Sequence, residues 1–145
     1  MREGVQVLNV EDKIAIGELV ARFAHCSDYG DWVGLEALFT EDVVTEMEGI
    51  PLRYEGIVAQ IAHARESDAQ TAGKNRHYNF NLYVEEQNGE VVARYMFANV
   101  NAGSVPMKAQ IVTSGTMRDT VRKTPEGWKI ARRYVTFDQS FQLDF

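Results

Sequence analysis

The sequence predicts a single α+β domain over residues 1–145, in which three N-terminal helices cover a cone-shaped, strongly curved sheet of mixed or antiparallel strands. Two observations predict this class. Apolar residues recur at three- and four-residue steps in the first half of the chain, and they alternate with polar residues in the second half. The length is enough for one substantial core but not for two. A curved sheet closed by helices on its concave side would enclose a pocket.

The first helix is marked at both of its ends. Asn9, with Asp12 three residues later, predicts an N-cap, and Gly30 predicts the stop. Five residues form the apolar stripe between them, which predicts a helix to about Ser27: Ile16, Leu19, Val20, Phe23 and Ala24. Asp31 then predicts the cap of a second, short helix. Its apolar face comprises Trp32, Leu35, Leu38 and Phe39.

Turn-forming and β-branched residues alternate over the middle of the chain. They predict a turn at 40–42, a strand at 43–47, a turn at 49–51 and a second short strand through Tyr54. The spacing of apolar residues after Gly56 predicts a third helix over about 57–66. Residues 67–74 are polar, small and glycine-containing, which predicts a loop.

Four long antiparallel strands are predicted in the second half. Residues 75–86 alternate and lead to Asn88-Gly89, a dipeptide typical of tight hairpins, so 91–101 is predicted to return as the partner strand. A loop at 103–106, a strand over about 108–123, a turn at 124–127 and a strand over about 128–137 complete the meander. Gly103 and Gly115 are the positions where we expect the sheet to bend.

Composition argues against several functional classes. The formal net charge is −6 and no basic stripe is interleaved with aromatic residues, so nucleic acid is not an expected partner. No apolar run approaches the roughly 20 residues that span a membrane. The single Cys26 excludes an internal disulfide, and the three histidines match no zinc spacing. We therefore expect a cytoplasmic protein that uses no metal and no cofactor.

One pair of residues carries the chemical hypothesis. Asp28 lies late in the first helix, and His77 lies at the start of a predicted strand. A carboxylate bonded to one imidazole nitrogen fixes the tautomer, so that the other nitrogen can accept a proton. Taken alone, Asp28 is more typical of a cap or an exposed carboxylate. Alternation leaves open whether His77 faces a cavity or solvent.

The other candidates concern the stabilisation of negative charge or the binding of a substrate. Asn81 ranks first because strict alternation would place it on the same strand face as His77. No spacing selects among the remaining hydroxyl and guanidinium groups, which belong to Tyr29, Tyr54, Tyr83, Tyr95, Arg132 and Arg133. His25 and His63 are predicted to be solvated.

Together these motifs resemble the nuclear transport factor 2-like superfamily, and within it the SnoaL-like proteins. The resemblance extends over about 10–137 and implies a cystatin-like α+β roll. Four stretches carry it: the residues from Ser27 to Trp32, Asn75-Arg76-His77, the Asn88-Gly89 hairpin, and Gly127-Trp128-Lys129-Ile130 with Arg132-Arg133. The dehydratase-like branch uses an aspartate at the end of the first helix and a histidine on the facing strand, which match Asp28 and His77.

The resemblance also implies a function. Scytalone dehydratase, a dehydrochlorinase, bile acid dehydratase and polyketide cyclases share these motifs. A cofactor-independent lyase or isomerase acting on a small hydrophobic ring compound is therefore expected, with a homodimer formed through the outer sheet face. The dehydratases usually add a tyrosine where this chain has Phe23, so the acid is not identified. A non-catalytic small-molecule-binding domain and a scaffold subunit, as in ring-hydroxylating oxygenases, are the alternatives on this fold.

Overall fold

A computed structural model of the protein describes residues 8–105 and 108–138. The helices are α1 (Val10–Tyr29), α2 (Trp32–Glu36) and α3 (Ile57–Gln70). The strands are β1 (Phe39–Met47), β2 (Ile50–Glu55), β3 (Asn75–Gln87), β4 (Glu90–Val105), β5 (Lys108–Thr124) and β6 (Gly127–Phe137). Within these ranges, no helix is long and apolar enough to cross a membrane.

The six strands form one curved, unclosed sheet in the order β2-β1-β6-β5-β4-β3. The sheet is mixed, because β1 runs parallel to β6 whereas the other neighbouring strands are antiparallel. The three helices cover its inner face, and the predicted α+β class is confirmed.

The start of α1 follows from the cap that the sequence predicts. Oδ1 of Asn9 accepts from the backbone N–H of Asp12 at 2.8 Å, and Oδ2 of Asp12 accepts from the backbone N–H of Asn9 at 3.3 Å. Oδ1 of Asp12 also accepts from Nε1 of Trp128 at 3.1 Å and from Nζ of Lys123 at 3.2 Å. The indole hydrogen bond is the largest cause that holds the pKa of Asp12 below its usual value. These contacts tie the start of α1 to the β5–β6 hairpin.

The core lies between α1 and the inner face of the sheet. α1 contributes the buried side chains of Ile16, Leu19, Val20 and Phe23. At Gly115 the strands approach so closely that a Cβ atom would lie 2.0 Å from the carbonyl oxygen of Thr136 and 2.9 Å from the Phe97 ring. Glycine is required here by space. Gly103 lies where the register of β4 against β5 shifts, between Asn101 and Val105.

Two predicted boundaries are wrong in the first half of the chain. The predicted turn at 40–42 lies inside β1, where the register against β6 shifts between Phe39 and Val44. Its polar residues therefore form a bulge within the strand rather than a turn before it. The second helix ends at Glu36, so Leu38 and Phe39 lie beyond it.

Two further boundaries differ because polar or small residues do not end the elements that contain them. α3 continues to Gln70, four residues beyond the predicted end; Ser67 and Asp68 of this extension line a cavity, whereas Gln70 is exposed. β4 continues through Val105, so residues 103–105 of the predicted loop are strand. Residue 106 of that loop lies outside the described residues.

A bulge in β3 changes which residues share a face. The register against β4 shifts between Phe80 and Tyr83, and Asn81 has a positive φ of 56°. Phe80 and Asn81 are therefore both exposed on the outer face, and Leu82 returns to pack against the core. His77 precedes the bulge and faces the helices. The prediction that Asn81 shares a face with His77 is wrong for this reason.

Candidate active site

A cavity of about 300 Å³ lies between α1, α3 and the inner face of the sheet. Much of its wall is apolar and comprises Phe23, Met47, Phe97, Met117, Val135 and Phe137. Small-molecule sites are typically concave and mostly apolar, with a few polar groups that fix the orientation of the ligand. The volume and lining of this cavity suit a small, largely apolar molecule.

Asp28 and His77 meet in the wall of this cavity. Nδ1 of His77 lies 2.6 Å from Oδ1 of Asp28, and the backbone N–H of His77 donates to Oδ2 of the same carboxylate at 3.0 Å. The Asp28 side chain is 8% exposed and the His77 side chain 21% exposed. A carboxylate accepts from Nδ1–H, so Nε2 carries the lone pair and is the ring nitrogen that can accept a proton.

The local fold explains why the two side chains meet. Asp28 lies in the last turn of α1, and α1 packs across the start of β3. Phe23, five residues before Asp28, contacts the His77 imidazole edge to face, with 5.7 Å between ring centroids. The imidazole is thus held by a hydrogen bond at Nδ1 and by the aromatic contact with Phe23.

A buried polar cluster lies beside the dyad. Arg133 is 2% exposed. Its Nε and Nη2 donate to the Asp119 carboxylate at 2.8 and 2.9 Å, and Nη2 also donates to the Tyr95 hydroxyl at 3.1 Å. The Tyr95 hydroxyl in turn donates to Oδ2 of Asp119 at 2.6 Å. Burial would by itself lower the pKa of Arg133, but the Asp119 carboxylate and the Tyr95 oxygen raise it above its usual value.

This cluster places a fixed guanidinium at the cavity, and the Asp119 carboxylate balances its charge. Arg133 is one of the lining residues, and its guanidinium lies 3.8 Å from the centroid of the Phe23 ring. Phe23 contacts both Arg133 and His77, so the cation and the imidazole flank the same aromatic ring. Spacing in the sequence does not distinguish Arg132 from Arg133, whereas the structure exposes Arg132 and buries Arg133.

α3 adds a polar stripe to the opposite wall. Gln60 and Ser67 of α3 line the cavity together with Thr71, the C-cap residue of this helix. Oε1 of Gln60 accepts from the Thr45 hydroxyl at 2.5 Å, and both side chains are buried. The spacing of these residues at four- and seven-residue steps is a helical signal carried by polar residues, and the periodicity of apolar residues alone does not detect it.

His63 belongs to the same wall. Its ring stacks on Tyr54 with 4.1 Å between centroids and an interplanar angle of 21°. Burial lowers the pKa of His63, although the charge of Glu66 opposes this shift. The prediction that His63 is solvated is wrong, because it is half-buried on the face of α3 that lines the cavity.

The remaining predicted site residues lie apart from the dyad. Tyr29 is 73% exposed, with its ring beside His25 and the guanidinium of Arg76. Asn81 and Tyr83 line a second cavity on the outer face of the sheet. Tyr54 contacts His63 and is not among the residues of the first cavity wall. The fold therefore brings together two groups of the predicted set: Asp28 with His77, and Arg133 with Tyr95 in the cluster beside them.

No metal site accompanies the dyad in the part of the chain that the structure describes, since no three His, Cys, Asp or Glu side chains are grouped to hold an ion.

Comparison with known proteins gives a consistent family and fold. The SnoaL-like domain family matches residues 9–134. No curated protein matches the chain.

Three solved structures illustrate the similarity. A protein of unknown function with a cystatin-like fold from Nostoc punctiforme is 23% identical, with a TM-score of 0.79 over 95% of this chain and 99% of its own. ActVI-ORFA from Streptomyces coelicolor is 16% identical, with a TM-score of 0.75 over 86% and 96%. A scytalone dehydratase-like protein from Novosphingobium aromaticivorans is 21% identical, with a TM-score of 0.70 over 87% and 83%. At these identities the likeness shows the fold.

Proposed function

The chain belongs to the SnoaL-like domain family, and from that premise we propose that it is a cofactor-independent lyase or isomerase of the dehydratase or cyclase type. The substrate is a small hydrophobic ring compound with an acidic C–H bond. The observation that carries this proposal is the 2.6 Å contact between Oδ1 of Asp28 and Nδ1 of His77 in the wall of a largely apolar cavity. The scytalone dehydratase-like relative supports the reaction class by analogy of fold.

In the first step Nε2 of His77 removes a proton from a carbon next to an electron-withdrawing group such as a carbonyl. The C–H electron pair moves into the adjacent π system, and negative charge develops on the carbonyl oxygen. Asp28 keeps the Nδ1–H tautomer in place and stabilises the imidazolium that forms. General-base assistance of this kind contributes about 10²–10⁴-fold to a rate.

Arg133 is the residue best suited to stabilise the negative charge. It is a cation in the cavity wall, and Asp119 and Tyr95 hold it in place before a substrate arrives. A preorganised charge in a site shielded from water stabilises a transition state without reorganisation at the moment of reaction. Arg133 thus replaces Asn81, which lies at the outer face of the sheet, as the candidate for this role.

Two outcomes are open to the enolate, and both conserve atoms and electrons. In elimination its electron pair re-forms the carbonyl and a new C=C bond, and a leaving group departs from the neighbouring carbon with its bonding pair. In isomerisation the imidazolium returns the proton to a different carbon. Each step moves only a proton and an electron pair.

Solvent deuterium exchange tests the proton abstraction directly. We expect the wild-type protein to accelerate exchange at the α-carbons of 2-tetralone, followed by NMR. The His77→Gln variant should reduce this acceleration by about 10²–10⁴-fold, because glutamine cannot accept the proton. His25→Gln is the matched control, since His25 is exposed on α1.

An outcome without acceleration would overturn the enzymatic proposal. If 2-tetralone binds the wild-type protein but does not exchange faster than in buffer, the non-catalytic binding alternative is favoured. Equal rates for the wild type and His77→Gln would remove His77 from the mechanism.

We also propose that the protein forms a homodimer through the outer face of its sheet. This face carries exposed apolar side chains, among them Tyr78, Phe80, Met96, Ile111 and Val112. Several exposed apolar side chains on one face are typical of a surface that is covered in an assembly.

A further inference from the structure

Two imidazoles line the cavity from opposite ends of the sheet. His77 lies on β3, whereas His63 lies on α3 and stacks on Tyr54 of β2. β2 and β3 are the two edge strands of the sheet, and the other four strands lie between them. The cavity volume of about 300 Å³ is at the lower end of the range for small-molecule sites. One ring compound that occupies the cavity can therefore reach both imidazoles.

The ring nitrogens of His63 are available to a bound molecule. Neither nitrogen forms a hydrogen bond with another of the described residues, and neither belongs to the unpaired polar atoms that are shielded from solvent. The ring itself is held in place, because its centroid lies 4.1 Å from that of Tyr54 in a stacked arrangement. His63 thus presents a positioned polar group that the described part of the chain does not itself use.

The environments of the two imidazoles favour opposite proton transfers. The Asp28 carboxylate at Nδ1 stabilises the imidazolium of His77, which suits a group that accepts a proton. Burial lowers the pKa of His63, and the charge of Glu66 only opposes this shift. The protonated form of His63 is therefore the less stable one, so it gives up its proton readily. Two titratable groups in such different environments indicate a base and an acid.

We propose that His63 is the catalytic acid of an elimination, in which it protonates an oxygen leaving group while His77 removes the α-proton. This inference rests on the proposed function, because it assigns the second residue of the same reaction. The C–H electron pair forms the new C=C bond, and the C–O bond breaks with its pair on the departing oxygen. A ring N–H of protonated His63 supplies the proton that makes this oxygen neutral. His77 is left protonated and His63 neutral, and exchange with solvent restores both.

The effect of such an acid depends on the leaving group. An alkoxide departs slowly unless it is protonated, whereas acetate is a stable anion that departs without a proton. A residue that donates the proton therefore accelerates the first elimination and not the second. A residue that only supports the cavity wall would affect both eliminations alike.

3-Methoxycyclohexanone and 3-acetoxycyclohexanone test this dependence. Both give cyclohexenone, whose formation can be followed by NMR and corrected for the rate in buffer, and neither substrate can donate a hydrogen bond. We expect the wild-type protein to accelerate both eliminations. His63→Phe keeps an aromatic ring against Tyr54 but has no proton to give. It should slow the loss of methanol by about 10²–10⁴-fold and leave the loss of acetate unchanged.

Three comparisons control this result. His77→Gln should slow both eliminations, because each requires removal of the α-proton. His63→Phe should exchange deuterium into 2-tetralone as fast as the wild type, because exchange has no leaving group and an intact rate shows an intact fold. His25→Gln, at an exposed position of α1, should change none of these rates.

The outcomes separate this inference from the proton-abstraction proposal. Equal slowing of both eliminations in His63→Phe would overturn it, as would an unchanged loss of methanol, which would make the His77 imidazolium the donor. Exchange into 2-tetralone without accelerated loss of methanol by the wild type would also overturn it, and proton abstraction by His77 would stand. Absence of both exchange and elimination would overturn the proposed function together with this inference.

Discussion

At the scale of single residues, Asp28 has two roles that a substitution can separate. Its carboxylate accepts the backbone N–H of His77 at 3.0 Å, which fixes the start of β3 against the end of α1. It also accepts Nδ1–H of the imidazole, which decides the tautomer. An asparagine amide at this position can still accept the backbone N–H of His77 through its oxygen. It does not fix the tautomer, because its N–H₂ group donates to a ring nitrogen rather than accepting from it.

Asp28→Asn is therefore expected to keep the fold and lose proton abstraction. The amide N–H₂ favours the tautomer with the proton on Nε2, which cannot act as a base. Exchange into 2-tetralone should fall by about 10²–10⁴-fold, and the double variant with His77→Gln should be no slower than His77→Gln alone. Glu41→Gln, an exposed position on β1, is the control. Full activity of Asp28→Asn would refute the role of the tautomer.

His63 is expected to make stability depend on pH. Burial lowers its pKa below the usual 6.5, so the unfolded chain binds a proton at this position more tightly than the folded chain. The free energy of unfolding then contains a contribution that is complete above about pH 6.5 and is lost as the pH falls through the folded pKa. Thermal unfolding of the wild type should lose more stability than His63→Gln between about pH 8 and pH 5. Parallel curves for the two proteins would contradict this.

At the scale of secondary-structure elements, close approach and register decide what the site contains. The bulge at Asn81 reverses the outward and inward directions along β3, which places His77 and Asn81 on opposite faces. Gly115 sets the spacing of β4, β5 and β6. A Cβ atom at this position would meet the Phe97 ring and the Phe137 backbone, and both of these residues line the cavity.

Gly115→Ala tests this spacing. The added methyl would overlap the carbonyl oxygen of Thr136, and backbone cannot move aside as a flexible side chain can. We expect a loss of at least about 2 kcal/mol in the free energy of unfolding, measured by urea denaturation. Gly17→Ala is the matched control: nothing lies within 4 Å of a Cβ there, so a gain of up to about 1 kcal/mol is expected in α1. Similar effects of the two substitutions would show that the close approach is not rigid.

Elements were predictable where local chemistry specifies them. The Asn9 and Gly30 caps of α1 and the Asn88-Gly89 hairpin act through neighbouring residues, and the structure places them as predicted. The face of Asn81, the burial of Arg133 and the orientation of His63 depend on packing between distant segments. Alternation gave no means to detect the bulge, and no spacing linked Arg133 with Tyr95 and Asp119, because their contacts arise from sheet register.

At the scale of the whole molecule, the two faces of the sheet serve different ends. The inner face, with the helices, encloses the cavity, whereas the outer face presents apolar side chains and no helix covers it in the described part of the chain. The cavity and the proposed dimer interface thus lie on opposite faces of one sheet. A change on the outer face can be expected to alter assembly without touching the dyad.

Phe80→Glu and Met96→Lys test the assembly. These residues pair across β3 and β4 on the outer face, so a charge at either position should shift a dimer to monomer in sedimentation velocity. Ile14→Lys, at an exposed site on α1, should leave the dimer intact. A wild-type protein that sediments as a monomer would contradict the proposed assembly.

The parallel pairing of β1 with β6 governs the order in which the chain can fold during synthesis. Phe39 pairs with Ile130, so β1 has only β2 as a neighbour until the final strand has left the ribosome. Pairings of such long sequence separation form late, and an unpaired strand edge is prone to aggregation. Arg133 arrives with that strand. A chain that stalls before β6 therefore exposes its interior and lacks its buried cation, and the cavity is complete only after β6 has paired with β1.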